Sequence, residues 1–182
     1  MRTLALEDNG LTAASGPGLA HAVLHAPVEA LLLARNRLGD GGAAALGGAV
    51  LAQDGRGRAR LRRLDVSENQ LTVAGLAALL GSLGSNRSLQ SLDAGGNGLI
   101  GDGLLNFSEA SQKVSSALAA AGALRELHLW RCGISDAACL HVIRALPPRL
   151  SMLNLAMNPL SKLLQDQLIH WHRDGTEADI RI

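Results

Sequence analysis

The sequence predicts an α/β protein made of stacked strand-and-helix units, and three observations carry that prediction. The first is internal self-similarity. The pattern Leu, x, Leu, x, x, Asn, x, Leu recurs six times, as LALEDNGL from Leu4, LLLARNRL from Leu31, LDVSENQL from Leu64, LDAGGNGL from Leu92, LHLWRCGI from Leu127 and LNLAMNPL from Leu153. The anchor positions Asn9, Asn36, Asn69, Asn97, Cys132 and Asn158 are 27, 33, 28, 35 and 26 residues apart. The second observation is a change of period after each copy, from two to about four, as in Leu38, Gly42, Leu46 and Val50, or Leu71, Gly75, Leu79 and Leu83, or Ile134, Ala138, Val142 and Leu146. A period of two followed by one near 3.6 is a strand followed by a helix. The third is composition. Leu (36) and Ala (29) exceed a third of the 182 residues, whereas only Phe107, Trp130 and Trp171 are aromatic. A core without large rings suits many thin, near-identical layers.

Taken in chain order, each unit opens with a short strand. Leu at both ends of the Leu, x, Leu pair points inward and the residue between them points to the open face. Asn stands where the chain leaves the strand and turns inside the stack, where its amide can satisfy backbone groups that would otherwise be buried unpaired. Cys132 is a weaker donor in the same place and reads as a buried structural thiol. Glycines at 42, 75 and 103 open helices and allow close packing, while Ser15 stands at that point of the first unit. The 33-residue gap holds AQDGRGRARLRR, which crowds Arg56, Arg58, Arg60, Arg62 and Arg63 into eight residues. The 35-residue gap holds Ile100 to Ala123, with an Ala-rich helix from about Ser108. A helix with Leu164 and Leu168 precedes a last short strand, Ile180 to Ile182. Both insertions are expected to leave the strands in one parallel array.

This arrangement resembles the leucine-rich repeat family, and within it the ribonuclease-inhibitor-like branch, whose repeats of about 28 residues pair each strand with a full helix. The resemblance covers essentially all of residues 1–182, read as a single domain of six repeats and a terminal strand. It implies a right-handed solenoid, or horseshoe, with a parallel sheet on the concave face and helices on the convex face. One strand and one helix cannot bury their own apolar faces, so stacking makes a continuous core. The family tolerates Cys at the Asn position. The chain begins directly in a strand with no amphipathic cap, and an uncapped strand exposes an edge. The expectation is therefore a part of a longer protein, or a flank covered by another chain.

Composition and motifs exclude several function classes. Low charge with high apolar content excludes disorder. Net charge is +1, with 15 Arg and 2 Lys, so no broad basic field holds nucleic acid or a membrane surface. No apolar run reaches the roughly 18 residues that span a bilayer. The opening MRTLALEDNG carries acid where a secretory signal would be apolar, so Cys132 and Cys139 are expected in a reducing compartment. The expected location is cytoplasmic, with nuclear, cytoskeletal and flagellar sites left open. The stretch Gly39 to Ala44 matches a dinucleotide fingerprint in its GxGxxA form, but the repeat register already explains it. His170 and His172 fall on different faces of a helix, and no residue completes a zinc set with them or with the two cysteines. No cofactor, metal, small-molecule substrate or catalytic set is expected, and the chain is read as not an enzyme.

What remains is the concave surface, where equivalent positions of adjacent strands lie about 4.8 Å apart. One row runs Ala5, Leu32, Asp65, Asp93, His128 and Asn154; the next Glu7, Ala34, Ser67, Gly95, Trp130 and Ala156; the third Asp8, Arg35, Glu68, Gly96, Arg131 and Met157. Asp65 and Asp93 are expected as an unneutralised pair, and Trp130 as a solvent-facing ring with only small neighbours in its row. Asp65, Glu68, Asp93, His128, Trp130 and Arg131 are thus the candidate protein-binding residues, with Trp and Arg the types most enriched in hot spots. The basic loop of Arg56, Arg58, Arg60, Arg62 and Arg63 would suit an acidic protein surface or an RNA backbone. These residues favour a non-catalytic protein-interaction module or scaffold whose partner is another protein, alone or within a large assembly. Two alternatives stand beside it. One is a small-GTPase regulator, because the Ran GTPase-activating protein resembles this repeat class, although its long acidic tail is absent here and no catalytic residue transfers by motif. The other is an RNA-associated subunit using the Arg-rich loop.

Overall fold

The computed structural model describes residues 2–48, 60–81, 83–84, 86–98, 109–169 and 178–182. Strands β1 (Thr3–Ala5), β2 (Ala30–Leu32), β3 (Arg63–Asp65), β4 (Ser91–Asp93), β5 (Glu126–His128), β6 (Met152–Asn154) and β7 (Asp179–Arg181) form one parallel sheet in chain order. After β1 come a 3-10 turn (Ala13–Ser15) and helix α1 (Gly16–His25); α2 (Gly39–Leu46), α3 (Val73–Leu80), α4 (Glu109–Ala120), α5 (Asp136–Arg144) and α6 (Lys162–Ile169) lie between later strands. Leu4, Leu31, Leu64, Leu92, Leu127, Leu153 and Ile180 stand in one row across the sheet. The two long gaps do not break it, since β2 pairs directly with β3 and β4 with β5. Gly103, the histidines at 170 and 172, Phe107 and Trp171 lie outside the described residues.

The strands are shorter and earlier than the repeat pattern suggests. Each starts one residue before the first Leu of its motif and ends before the second, and the terminal strand is Asp179–Arg181 rather than 180–182. The inter-repeat ladder nevertheless continues past them. Leu33 N–H donates to Asp65 O and Val66 N–H to Asp93 O, both at 2.8 Å, while the chain is already turning inward.

Helices of successive repeats pack side by side, α1 on α2, α2 on α3 and α3 on α4. Packed helices need about 8–10 Å and paired strands about 4.8 Å, so the stack bends with the sheet inside. Parallel crossovers turn right-handed. A leucine-rich repeat solenoid follows. Leu31, Leu64, Leu92, Leu127 and Leu153, with Leu38, Leu71 and Ile134 at the close of their motifs and Leu46, Leu79 and Val142 from the helices, are buried in one core. Helix starts are locked between repeats. The Asp40 carboxylate of α2 accepts the backbone N–H of Thr72 at 2.8 Å and its hydroxyl at 2.6 Å, just ahead of α3. Gly75 leaves the space that Asp40 occupies. Asp136 of α5 repeats the device on the N–H of Ser161 at 2.8 Å, and hydrogen bonds from Ser161 hold its carboxyl below the usual range.

The anchor residues form a ladder of a second kind. Asn97 is buried; its side-chain oxygen accepts the N–H groups of Asn69 (2.8 Å) and Leu71 (3.0 Å) from the preceding repeat, and its amide donates to the carbonyls of Val66 (3.0 Å) and Ala94 (2.9 Å). Asn158 does the same for Cys132 N–H, Ile134 N–H, Leu129 O and Leu155 O, at 2.8 to 3.0 Å. The Cys132 thiol reaches Trp130 O at 3.4 Å and Ala94 O at 3.5 Å, and the backbone N–H groups of Asn97 and Gly96 also donate to its sulfur. Burial pushes its thiol up to about 11 and that of Cys139 up to about 12. Both are free and buried, and at neutral pH both stay protonated. Asn97→Ala is expected to cost about 3 kcal/mol or more in urea unfolding, because it strands several buried backbone groups, whereas Cys132→Ala costs about 1 kcal/mol.

Candidate protein-interaction surface

The concave rows are built by strand register. Ala5, Leu32, Asp65, Asp93, His128, Asn154 and Arg181 are successive partners across the sheet, as the repeat alignment implies. Sequence reasoning missed one further row, because it began counting at the first Leu. The strand-start residues Thr3, Ala30, Arg63, Ser91, Glu126, Met152 and Asp179 precede that row by two positions and share its face. Arg63 is therefore the first residue of β3 and not part of a basic loop. Arg60 and Arg62 are exposed, while Arg56 and Arg58 lie outside the described residues.

The row that includes Glu68 and Arg131 is set by backbone conformation. Asp8, Arg35, Glu68, Arg131 and Met157 have φ between 50° and 62°, and Gly96 has φ 65°. Non-glycine residues pay for this left-handed region in strain of about 1 kcal/mol or more each. Here it is enforced from both sides. Arg35, Glu68 and Arg131 each donate an N–H to the next repeat at 2.9 to 3.0 Å, and the anchor residue follows immediately. Arg131 and Met157 end up exposed, Met157 to 74%.

Asp65 and Asp93 stand opposite each other as expected, but they are not an idle pair. Asp65 accepts the backbone N–H of Ser67 at 3.0 Å and its hydroxyl at 2.7 Å, and Asp93 accepts Gly95 N–H at 2.9 Å. Asn154 caps Ala156 N–H at 3.0 Å in the same way. An Asx residue at this position thus closes the turn that leaves the strand. Burial raises the Asp93 carboxyl above the usual carboxylate range and the Asp65 charge adds to the shift, against the pull of Gly95 N–H, the Trp130 indole and His128. His128 sits next in the row, with Nε2 3.9 Å from Glu126 Oε2.

Trp130 corrects the expectation of a free ring. Its indole Nε1–H donates to Asp93, at 3.1 Å to Oδ1 and 3.3 Å to Oδ2. The ring lies over the backbone of Gly95 and Gly96: a Cβ at Gly95 would run into the indole nitrogen, and one at Gly96 would sit 3.2 Å from ring atom Cη2 and 2.5 Å from Cγ of Glu68. Two successive glycines leave a side-chain-sized gap in the fourth repeat, and the large residue of the fifth falls into it. The indole is half-buried, so it belongs partly to the fold. The surface therefore gathers Trp130, Asp93 and Glu68 around one glycine floor, with Asp65 and His128 beside Asp93 and Arg131 adjoining the ring. Among the described residues no group of His, Cys, Asp and Glu could hold a metal ion, and no helix is long and apolar enough to cross a membrane.

Stacked strands, inward leucines and an Asn ladder define a repeat protein, and comparison with known proteins places it. The model of the Leucine Rich repeat family matches residues 26–47 and 61–80. The chain is similar to the ribonuclease inhibitor of Sus scrofa, at 32% identity over 177 residues, which is 93% of this chain and 36% of that protein. It is also similar in fold to the solved structure of Leiomodin-1 Actin-Binding Site 2, with a TM-score of 0.59 at 16% identity, covering 80% of this chain and 79% of that one. Both matches support a leucine-rich repeat chain that resembles the ribonuclease-inhibitor-like branch of that family. The chain spans 36% of the length of the curated relative that it matches.

Two outcomes follow from the geometry. Gly95→Ala, made on a Trp171→Phe background, is expected to lift the Trp130 ring, break its bond to Asp93 and shift indole emission to the red; unchanged emission would mean that the ring does not rest there. Asp93 holds its proton to higher pH folded than unfolded, so the penalty for ionising it is full at neutral pH and vanishes below both values. Asp93→Asn, which keeps an acceptor as Asn154 does, should raise the neutral-pH melting temperature by about 1–3 °C, the scale of a relieved like-charge cross-strand pair. That advantage should disappear below about pH 3.

Proposed function

We propose that this chain is a non-catalytic protein-interaction module or scaffold that engages a protein partner on its concave face, at the surface centred on Trp130. The observation that carries the reading is the placement of the ring. It is held flat on Gly95 and Gly96 and tied to Asp93, on a sheet whose backbone is fixed by two ladders. An aromatic side chain already immobilised loses little entropy when a partner covers it. Arg131 and the exposed Met157 flank the site, and Arg and Met are enriched in interface cores. Asp65, Glu68, Asp93 and His128 supply a mostly acidic border suited to a Lys or Arg of the partner. The name of the Sus scrofa relative describes an inhibitor of ribonuclease, which supports a binding role for this repeat class. The two buried, unpaired thiols support work in a reducing compartment, cytoplasm or nucleus.

The test compares proteins captured from native extract by wild-type chain, by Trp130→Ala and by Arg144→Glu on helix α5 of the convex side. A partner retained by Arg144→Glu and lost by Trp130→Ala is expected. Titration of that purified partner should then show a loss of about 2 kcal/mol or more for Trp130→Ala. Because the ring is half-buried, the same variant should also lose about 1 kcal/mol of folding stability. A partner that binds Trp130→Ala as well as wild type would place the interface elsewhere.

A further inference from the structure

A second surface lies at the opposite end of the strands from Trp130. The residue ahead of each strand offers its carbonyl to the next repeat: Arg2 O accepts from Glu29 and Ala30, Glu29 O from Arg62 and Arg63, Arg62 O from Gln90 and Ser91, and Gln90 O from Arg125 and Glu126. Side chains beside this ladder line two cavities of about 410 and 550 Å³ that share Arg87 and Gln90 and so form one groove. Its cations are Arg60, Arg62, Arg87, Arg125 and Arg149, and its one acid is Glu29 at the end nearest β2. Ion pairs among the described residues involve His128, Lys162 and Arg181, and none of these five. Arg125 is held in place by donating to the carbonyls of Gly122, Ala123 and Leu124 at 3.1 to 3.2 Å.

We propose that this groove binds an acidic, extended segment of a partner protein. Five guanidinium groups against one carboxylate is an arrangement that a carboxylate-rich ligand neutralises, and guanidinium matches carboxylate in paired hydrogen bonds. The arginines come from the repeats of β3 to β6. That places them across about 14 Å at the usual strand spacing, a length that four or five residues of extended peptide cover. The groove has no aromatic side chain on which a base could stack, and the chain has no broad positive field, so a protein segment fits better than a nucleic acid. This surface is separate from the concave one, and either can fail without the other.

Fluorescence anisotropy with labelled deca-glutamate tests it, with deca-glutamine and an oligothymidylate of equal length as comparisons. Deca-glutamate is expected to bind, more weakly as salt rises, and deca-glutamine not to bind. Arg62→Glu with Arg87→Glu should weaken the peptide about tenfold or more, while Arg144→Glu on the convex side leaves it unchanged. Should the double reversal unfold the protein, Arg87→Gln with Arg149→Gln, both exposed side chains, reads the same loss. No binding of deca-glutamate, an equal loss in Arg144→Glu, or tighter binding of the oligothymidylate would overturn the proposal.

Discussion

The interaction on which the rest of this structure depends is the buried carboxamide between repeats. A chain that turns inward after three residues of strand carries its N–H and C=O groups into an apolar stack, where each unpaired group costs about 1–3 kcal/mol. Asn36, Asn69, Asn97 and Asn158 answer this, while Cys132 takes the anchor position of the fifth repeat. The amide oxygen takes two N–H groups of the previous repeat, and the amide nitrogen gives to one carbonyl of that repeat and to at least one of its own, as Asn97 and Asn158 both do. The leucines supply most of the apolar burial, but they pack equally well in several depths of stacking. The carboxamide fixes how far one repeat sits from the next and at what turn of the chain.

The candidate surface inherits that precision. Because the turn is pinned, the residue before the anchor is held left-handed in all six repeats, and its side chain is delivered to the rim of the sheet at a constant position. Because the Asx residue of the strand caps the turn from the other side, its carboxylate is placed where the indole of the following repeat can reach it. Strain and desolvation at these positions are the local cost of presenting side chains on a rigid frame. The same frame carries two surfaces of different chemistry at its two ends, an aromatic and acidic one where strands finish and an arginine-lined one where they begin.

Much of this was legible in the sequence, for a physical reason. A strict Leu spacing leaves one register, since a slip of one residue would turn every apolar side chain outward. The six strands, their order and the row from Asp65 through His128 follow from that alone. The Trp130 contact does not, because it joins residues 37 apart through a diagonal between rows. A signal was present in the pair Gly95–Gly96 one repeat before a lone Trp, a gap and a filler. The strand-start row and the arginine groove escaped because their residues lie outside the repeated motif. Arg60 and Arg149 stand three residues ahead of their strands, Arg87 four and Arg125 one, and only folding gathers them.

Amide hydrogen exchange tests the ladder most directly. The account predicts that the N–H groups of Asn69 and Leu71, bound to Asn97, and of Cys132 and Ile134, bound to Asn158, exchange as slowly as those inside the sheet, opening only with global unfolding. Exchange of these four at the rate of solvent-exposed turns, with the strand amides still protected, would contradict the claim that the carboxamide ladder holds the repeats together.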